Sequence, residues 1–252
     1  MTPRFSCALN GVTPESIDPA LRVTDLTEMP PRRRVTSVPT VRHGLQLLRR
    51  VRESLTIRVS FVIPEYDPVR RRALVSQLHA WADPGGVLTT SDRPGQRLIV
   101  VCDTLPMLSA LSWSDVIHID FTACALPFWE YDAETQAVTD ASAELLLPGD
   151  AEEIPVACEV TNTGDAPLTT VTLRCGDTQM TFSGLSIAPG SVLSLASTAG
   201  LLTATVDGSS VLMHRTGDSS DLLLADGGVP AAVSVTADGS VRALFHARGR
   251  LL

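Results

Sequence analysis

Apolar and polar residues alternate most regularly across Ser54–Ile63, where Leu55, Ile57, Val59 and Phe61 are separated by Thr56, Arg58 and Ser60. A period of two turns one side of the backbone to a core and the other to water, so this segment is predicted to be a half-buried strand. The period then changes. Leu74, Leu78, Trp81 and Ala82 fall at i, i+4, i+7 and i+8, the spacing of one helix face. Asp67 stands before them as an N-cap and Pro68 at the first helical position, where a missing N–H costs nothing. Asp83-Pro84-Gly85-Gly86 ends the pattern, so a helix is predicted over 68–82, with Arg70, Arg71 and Gln77 mainly off its packed face. Arg97–Cys102 and Val116–Cys124 read as further strands. Residues 1–20 read as a short strand and a turn at Asn10-Gly11. Leu21–Val41, with Pro30-Pro31, three consecutive arginines and Pro39, reads as an extended arm with little core of its own. A loop of that length in a compact domain is uncommon and usually functional.

From Asp140 the pattern is strand after strand. Ile154, Val156, Cys158 and Val160 alternate, as do Val171, Leu173 and Cys175, and then Val241, Ala243, Phe245 and Ala247. Turn signals recur at Asn162-Thr-Gly164, Asp207-Gly208, Asp226-Gly227 and Asp238-Gly239. Asn-Gly and Asp-Gly pairs suit tight turns because they accept positive φ. A β-sandwich or jelly roll of about eight strands is expected here. The predicted organisation is mainly β: a mixed β domain with one α-helix over 1–139, a short polar linker after Tyr131, and an all-β domain over 140–252.

Charge sharpens that division. All 20 basic residues are arginine; up to Thr139 there are 15 arginines and 15 acids, and from Asp140 onward 5 arginines and 13 acids, which is the whole net charge of −8. A domain whose main work is binding DNA carries a basic excess to neutralise phosphates, and neither half has one. The clusters Arg32-Arg33-Arg34, Arg49-Arg50 and Arg70-Arg71-Arg72 suit solvated faces or ion pairs between subunits, since the planar guanidinium matches a carboxylate. No apolar run reaches the length of a bilayer span, and the N-terminal residues show no secretory leader pattern. Five scattered cysteines without a CxxC pair are expected to be reduced thiols.

Candidate chemistry is sparse. There is no Gly-rich phosphate loop, HExxH or nucleophile elbow, and the five histidines have no metal-ligand spacing. Asp218-Ser-Ser-Asp221 with Asp226 is the densest acidic group and a weak calcium candidate, because Asx and Ser residues also favour turns. No catalytic residue, cofactor or metal is assigned, and no enzymatic activity is expected. All three tryptophans and both tyrosines precede residue 132, leaving Phe182 and Phe245 as the aromatics beyond it. Sugar sites draw on exposed aromatic faces, so protein contact is favoured over glycan contact.

The order Arg42-His43-Gly44, the strand from Leu55 to Ile63, the Asp67 helix ending in Trp81-Ala82, Gly85-Gly86-Val87-Leu88, Gln96–Val100, Phe121-Thr122-Ala123 and Pro127-Phe128-Trp129-Glu130 resembles the distal tail (Dit) proteins of long-tailed phages and prophages. Phe182-Ser183-Gly184-Leu185, Asp218–Asp221 and Ala247–Leu252 continue the resemblance. It implies an N-terminal β-sandwich with a helix that builds a hexameric ring, and a C-terminal galectin-like β-sandwich. The function implied is structural: a virion protein, made in the bacterial cytoplasm, that caps the tail tube and anchors tail-tip or baseplate proteins. DNA would only pass through the lumen, and no membrane is involved. The arm, with Arg32, Arg33, Arg34 and Arg42, is expected at the subunit interface. A carbohydrate-binding adhesin module is the alternative from another class.

Overall fold

The computed structural model describes residues 5–29, 33–39, 45–104, 116–123, 127–198 and 201–251. The first part of the chain runs through β1 (Cys7–Leu9), α1 (Pro14–Ile17), β2 (Arg22–Met29), β3 (Arg33–Pro39), β4 (Leu45–Arg52), β5 (Thr56–Val62), α2 (Pro68–Ala82), β6 (Gly86–Thr90), β7 (Gln96–Thr104) and β8 (Val116–Ala123). A short strand, β9 (Trp129–Tyr131), follows. The remainder is β10 (Thr135–Thr139), β11 (Ser142–Leu145), β12 (Ile154–Pro155), β13 (Ala157–Asn162), β14 (Leu168–Cys175), β15 (Thr178–Ile187), β16 (Val192–Thr198), β17 (Leu201–Val206), β18 (Ser209–Ser210), β19 (Leu224–Ala225), β20 (Ala231–Ala237), β21 (Val241–Ala247) and β22 (Arg250–Leu251). The fold is mainly β. The chain divides into two compact units, residues 1–129 and 130–252, earlier than the boundary expected at 139/140. The stretch read as a polar linker holds β10, whose residues Thr135–Thr139 pair with Ala247–Ala243 of β21.

In the first unit an antiparallel sheet runs β1-β6-β7-β8-β5-β2. The alternating segment is β5, near its middle, with Leu55, Ile57, Val59 and Phe61 buried. The predicted helix is α2, and Asp67 caps it by accepting a hydrogen bond from the Val69 N–H at 3.0 Å. Leu74, Leu78 and Trp81 are buried, and the Trp81 ring meets Phe61 and Phe121 edge-on at 6.1 and 5.8 Å. Arg71 corrects the expectation for this face: it is 8 % exposed. At position 71 it stands three residues before Leu74 and seven before Leu78, on the packed stripe rather than beside it.

The arm also resolves differently from its sequence expectation. Arg22–Met29 is a strand of the main sheet, paired with β5 from Arg22–Val62 to Met29–Thr56. A bulge between Val23 and Asp25 interrupts its alternation, and so its sequence reads as irregular. The extended part is a hairpin, with β3 and β4 forming a two-stranded sheet of their own. Asn10 and Gly11 make the expected turn at φ 53° and 79°. The Asn10 amide then ties that turn to the residues after α2, donating to Gly85 O and accepting from Val87 N, both at 2.9 Å.

The second unit is a β-sandwich. One sheet runs β10-β21-β13-β16-β17-β18, the other β11-β20-β14-β15, and β12 pairs with β19. Cys158, Val160, Val171, Leu173, Met180, Phe182, Val233, Val235, Ala243 and Phe245 are buried and alternate with more exposed neighbours, as two facing sheets require. Asn162 is 1 % exposed and braces one end: its Nδ2 donates to Ala166 O and Ile187 O, and its Oδ1 accepts from Gly164 N, all at 2.9 Å. Gly149, at φ +106°, lies so close to Arg250 that a Cβ would stand 2.0 Å from its carbonyl oxygen.

Candidate assembly surface

The β3–β4 hairpin carries the least ordinary chemistry in the molecule. Residues 30–52 contain seven arginines and no acid, so this segment is +7 while the rest of the chain is −15. In register, Arg33 stands opposite Arg52, Val35 opposite Arg50 and Thr36 opposite Arg49, with a bulge between Thr36 and Ser37. Like charges opposite one another destabilise a strand pair. A two-stranded ribbon is marginal in water at best. Among the described residues β3 and β4 pair only with each other, and Arg34, Thr36 and Ser37 are exposed. A ribbon so composed gains most from an acidic surface that covers it.

Of the interface residues expected from sequence, Arg33 and Arg34 open β3. Arg32 and Arg42 lie outside the described residues. The contribution of Arg49, Arg50 and Arg52 as the returning strand was missed, because Leu45–Arg52 (LQLLRRVR) has no period of two.

Elsewhere in the first unit Arg58 and Arg93 form ion pairs. Arg58 binds Asp120 through two hydrogen bonds of 2.7 and 2.8 Å across β5 and β8, and the bond from Arg58 holds the Asp120 carboxyl below the usual carboxylate range. Arg93 donates to Glu28 at 2.7 Å and lies over the Trp129 ring at 5.1 Å, while the Trp129 indole N–H donates to the same Glu28 oxygen at 3.2 Å. His118 Nδ1 and Ser60 Oγ are 2.9 Å apart. In the second unit Arg250 pairs with Glu130 at 3.1 Å with both side chains 13 % exposed. Glu134 is lowered by its hydrogen bond with His246 at 3.0 Å.

Three buried thiols, Cys7, Cys158 and Cys175, are unsuited to nucleophilic chemistry. Burial, then Glu15, pushes Cys7 up to about 12, and burial pushes Cys175 up to about 11. Burial raises Cys158 as well, with Glu159 and Cys175 adding to it. A thiolate is the reactive form, and these stay protonated. Cys124 lies outside the described residues.

The Asp218–Asp221 segment has a structural use. β15 is the terminal strand of its sheet, and residues 216–220 lie along its open side. Thr216 N donates to Thr181 O at 2.9 Å and Ser220 N to Gln179 O at 2.7 Å. The Ser219 and Ser220 hydroxyls accept from Thr181 N and Gln179 N at 2.9 and 3.1 Å. An unpaired edge is a template for unwanted strands, and this segment closes one. Asp221 pairs with Arg215 at 3.2 Å and Asp226 accepts from Glu153 N at 2.8 Å. Among the described residues no three His, Cys, Asp or Glu side chains gather as a metal site.

The second unit offers sugars little. Phe182 and Phe245 are both fully buried, and Tyr131, the one other aromatic of this unit, is half-buried. A groove of about 580 Å³ near one end is lined by Asp140, Thr163, Ser240 and Arg242 among others, without an aromatic.

Two solved structures share this architecture. The Dit protein (gp 19.1) of phage SPP1, described as a paradigm of the hub adsorption apparatus in phages infecting Gram-positive hosts, aligns with a TM-score of 0.74 and 10 % identity over 97 % of this chain and 98 % of its own. The chain has the fold of a Dit hub protein. A chain of the phage P2 baseplate in its activated conformation with Ca aligns at a TM-score of 0.50 and 8 % identity, over 99 % of this chain and 98 % of its own. No protein-family model and no curated protein matches the sequence. The Dit fold is therefore carried here by pattern and packing, with little retained sequence.

Proposed function

We propose that this protein is a structural component of a phage or prophage tail, forming a ring at the distal end of the tail tube and anchoring tail-tip or baseplate proteins. The observation that carries the reading is the cationic hairpin on a chain of Dit fold whose other residues sum to −15. In a cyclic assembly one patch meets a different patch on the next copy, and repetition closes the ring. A +7 hairpin on a chain whose other residues sum to −15 supplies charge of opposite sign for such a contact. Six copies is the number that the resemblance to Dit proteins implies. The acidic sandwich over 130–252 is the platform for other tail proteins, and the assembly belongs to the virion, with DNA passing through its lumen. Its role is structural, not enzymatic.

Replacing Arg32, Arg33 and Arg34 together with Glu tests this directly. The variant is expected to elute as a monomer where the wild type forms rings. Intact rings from it overturn the role given to the hairpin. The adhesin alternative draws support from no exposed aromatic in the second unit.

A further inference from the structure

We infer that Cys158 and Cys175 form a disulfide across the sandwich of the second unit once the chain meets an oxidising medium, locking the two sheets together. One sheet begins β10-β21-β13-β16 and the other runs β11-β20-β14-β15. Each of these strands is next in sequence to the one in the same place in the opposite sheet, so β13 faces β14. Register fixes the level along them. Cys158 stands beside Phe245 and Cys175 beside Val233, and Phe245 and Val233 are each six residues from Gly239 in the turn between β20 and β21. The two cysteines therefore share one level of facing strands. Both are 0 % exposed, so both side chains point into the space between the sheets. The same end is drawn together around β12 and β19. Val156 N donates to Leu223 O at 2.9 Å, Leu224 N to the Thr178 hydroxyl at 3.0 Å, and that hydroxyl to Cys175 O at 2.7 Å. A charge on Cys175 is felt at Cys158, being one of the causes that raise it.

The sheets of a sandwich lie about 10 Å apart, and buried inter-sheet disulfides span that space in antibody domains. The step is a two-electron oxidation. Two Sγ–H groups give up two protons and two electrons, one Sγ–Sγ bond forms, and a disulfide oxidant such as oxidised glutathione becomes two thiols. Burial keeps both thiols protonated in the closed unit, and attack needs a thiolate. Exchange therefore proceeds through openings of that end of the sandwich and is slow in the closed unit. Cytosolic reductants hold such a pair reduced, and the medium outside a cell oxidises it. That passage outward rests on the tail reading above; the pairing of the two thiols does not.

The test uses the full chain, unfolded in urea and refolded either in excess reductant or in a mixture of reduced and oxidised glutathione. Free thiols are then blocked with N-ethylmaleimide, and the chain is cut after arginine and glutamate. The peptides Ile154–Glu159 and Cys175–Arg215 each hold one cysteine. The expected product is these two joined, two hydrogens lighter than their sum, from the glutathione sample alone. In that sample the second unit should melt about 10 °C above the reduced one, because a cross-link restricts the unfolded chain. Cys175→Ala should abolish both the joined peptide and the difference between the samples, and Cys7→Ala should keep both. Five blocked thiols in the glutathione sample, or either cysteine joined to another partner, overturn the bridge. A joined peptide without a rise in melting temperature overturns the lock. A chain that forms no rings overturns the tail reading and leaves this pairing standing.

Discussion

Replacing Asn162 with Ala should unfold the second unit at a lower temperature and leave the first where it was. The side chain is 1 % exposed and makes three hydrogen bonds of 2.9 Å, two donated to the Ala166 and Ile187 carbonyls and one accepted from Gly164 N. Each such bond contributes about 1 kcal/mol net, and a partner left buried without one costs about 1–3 kcal/mol. Two of the three abandoned partners have access to water through the turn, so a loss of about 3 kcal/mol is expected. For a unit of this size that lowers the melting temperature by about 12 °C, at about 4 °C per kcal/mol. The tryptophans make the assay selective: Trp81, Trp113 and Trp129 all lie in residues 1–129. Tryptophan fluorescence therefore reports the first unit, and far-ultraviolet circular dichroism reports both. The variant should show an early circular dichroism transition and an unmoved fluorescence transition. A circular dichroism shift below about 1 kcal/mol would refute the bracing role of Asn162. A fluorescence transition that moves with it would refute the independence of the two units.

Other consequences follow from the same contacts. Ser219→Ala with Ser220→Ala removes the hydroxyls that satisfy Thr181 N and Gln179 N; the uncovered β15 edge should then drive concentration-dependent self-association, seen as a rising weight-average mass in sedimentation runs, and a unit that stays dispersed would discount the guarding role. Asp120 titrates below its ordinary value in the folded chain because Arg58 hydrogen-bonds it. A depressed folded pKa gives stability that is present above the unfolded value of about 4 and is lost as pH falls below it. Asp120→Asn should therefore flatten the acid side of the stability profile of the first unit, measured by urea denaturation between about pH 2 and pH 6; an unchanged slope would assign the acid loss elsewhere. Gly149→Ala forces a Cβ to 2.0 Å from the Arg250 carbonyl oxygen at φ +106°, so the second unit should lose its cooperative melting transition; a shift of under about 1 kcal/mol would show that this loop yields.

How far the sequence speaks depends on whether an element's partner is local. α2 was legible because its cap, its proline and its apolar stripe all lie within sixteen residues, Asp67 to Ala82. β5, β14 and β21 were legible because burial on one side imposes a period of two. β2 was not, since a bulge shifts its register part-way along and its burial is set by β5, thirty residues on. β4 was missed for another reason: Leu45–Arg52 (LQLLRRVR) has no period of two to mark it as a strand. The Ser219–Ser220 pair resembled a cation loop because acids and hydroxyls serve turns, metals and edge covers alike. Only the hydrogen bonds to Thr181 and Gln179 separate these uses.

The central claim is that the chain closes into a ring through its arginine hairpin, and the mass in solution tests it most directly. Light scattering on a sizing column, at low and at high salt, should give a species near 161 kDa, six times the 26.8 kDa chain. Negative-stain images of that peak should show a central hole. High salt should dissociate it, because charge pairing at an exposed hairpin is screened. A 26.8 kDa species at every concentration and in both salts would contradict the account.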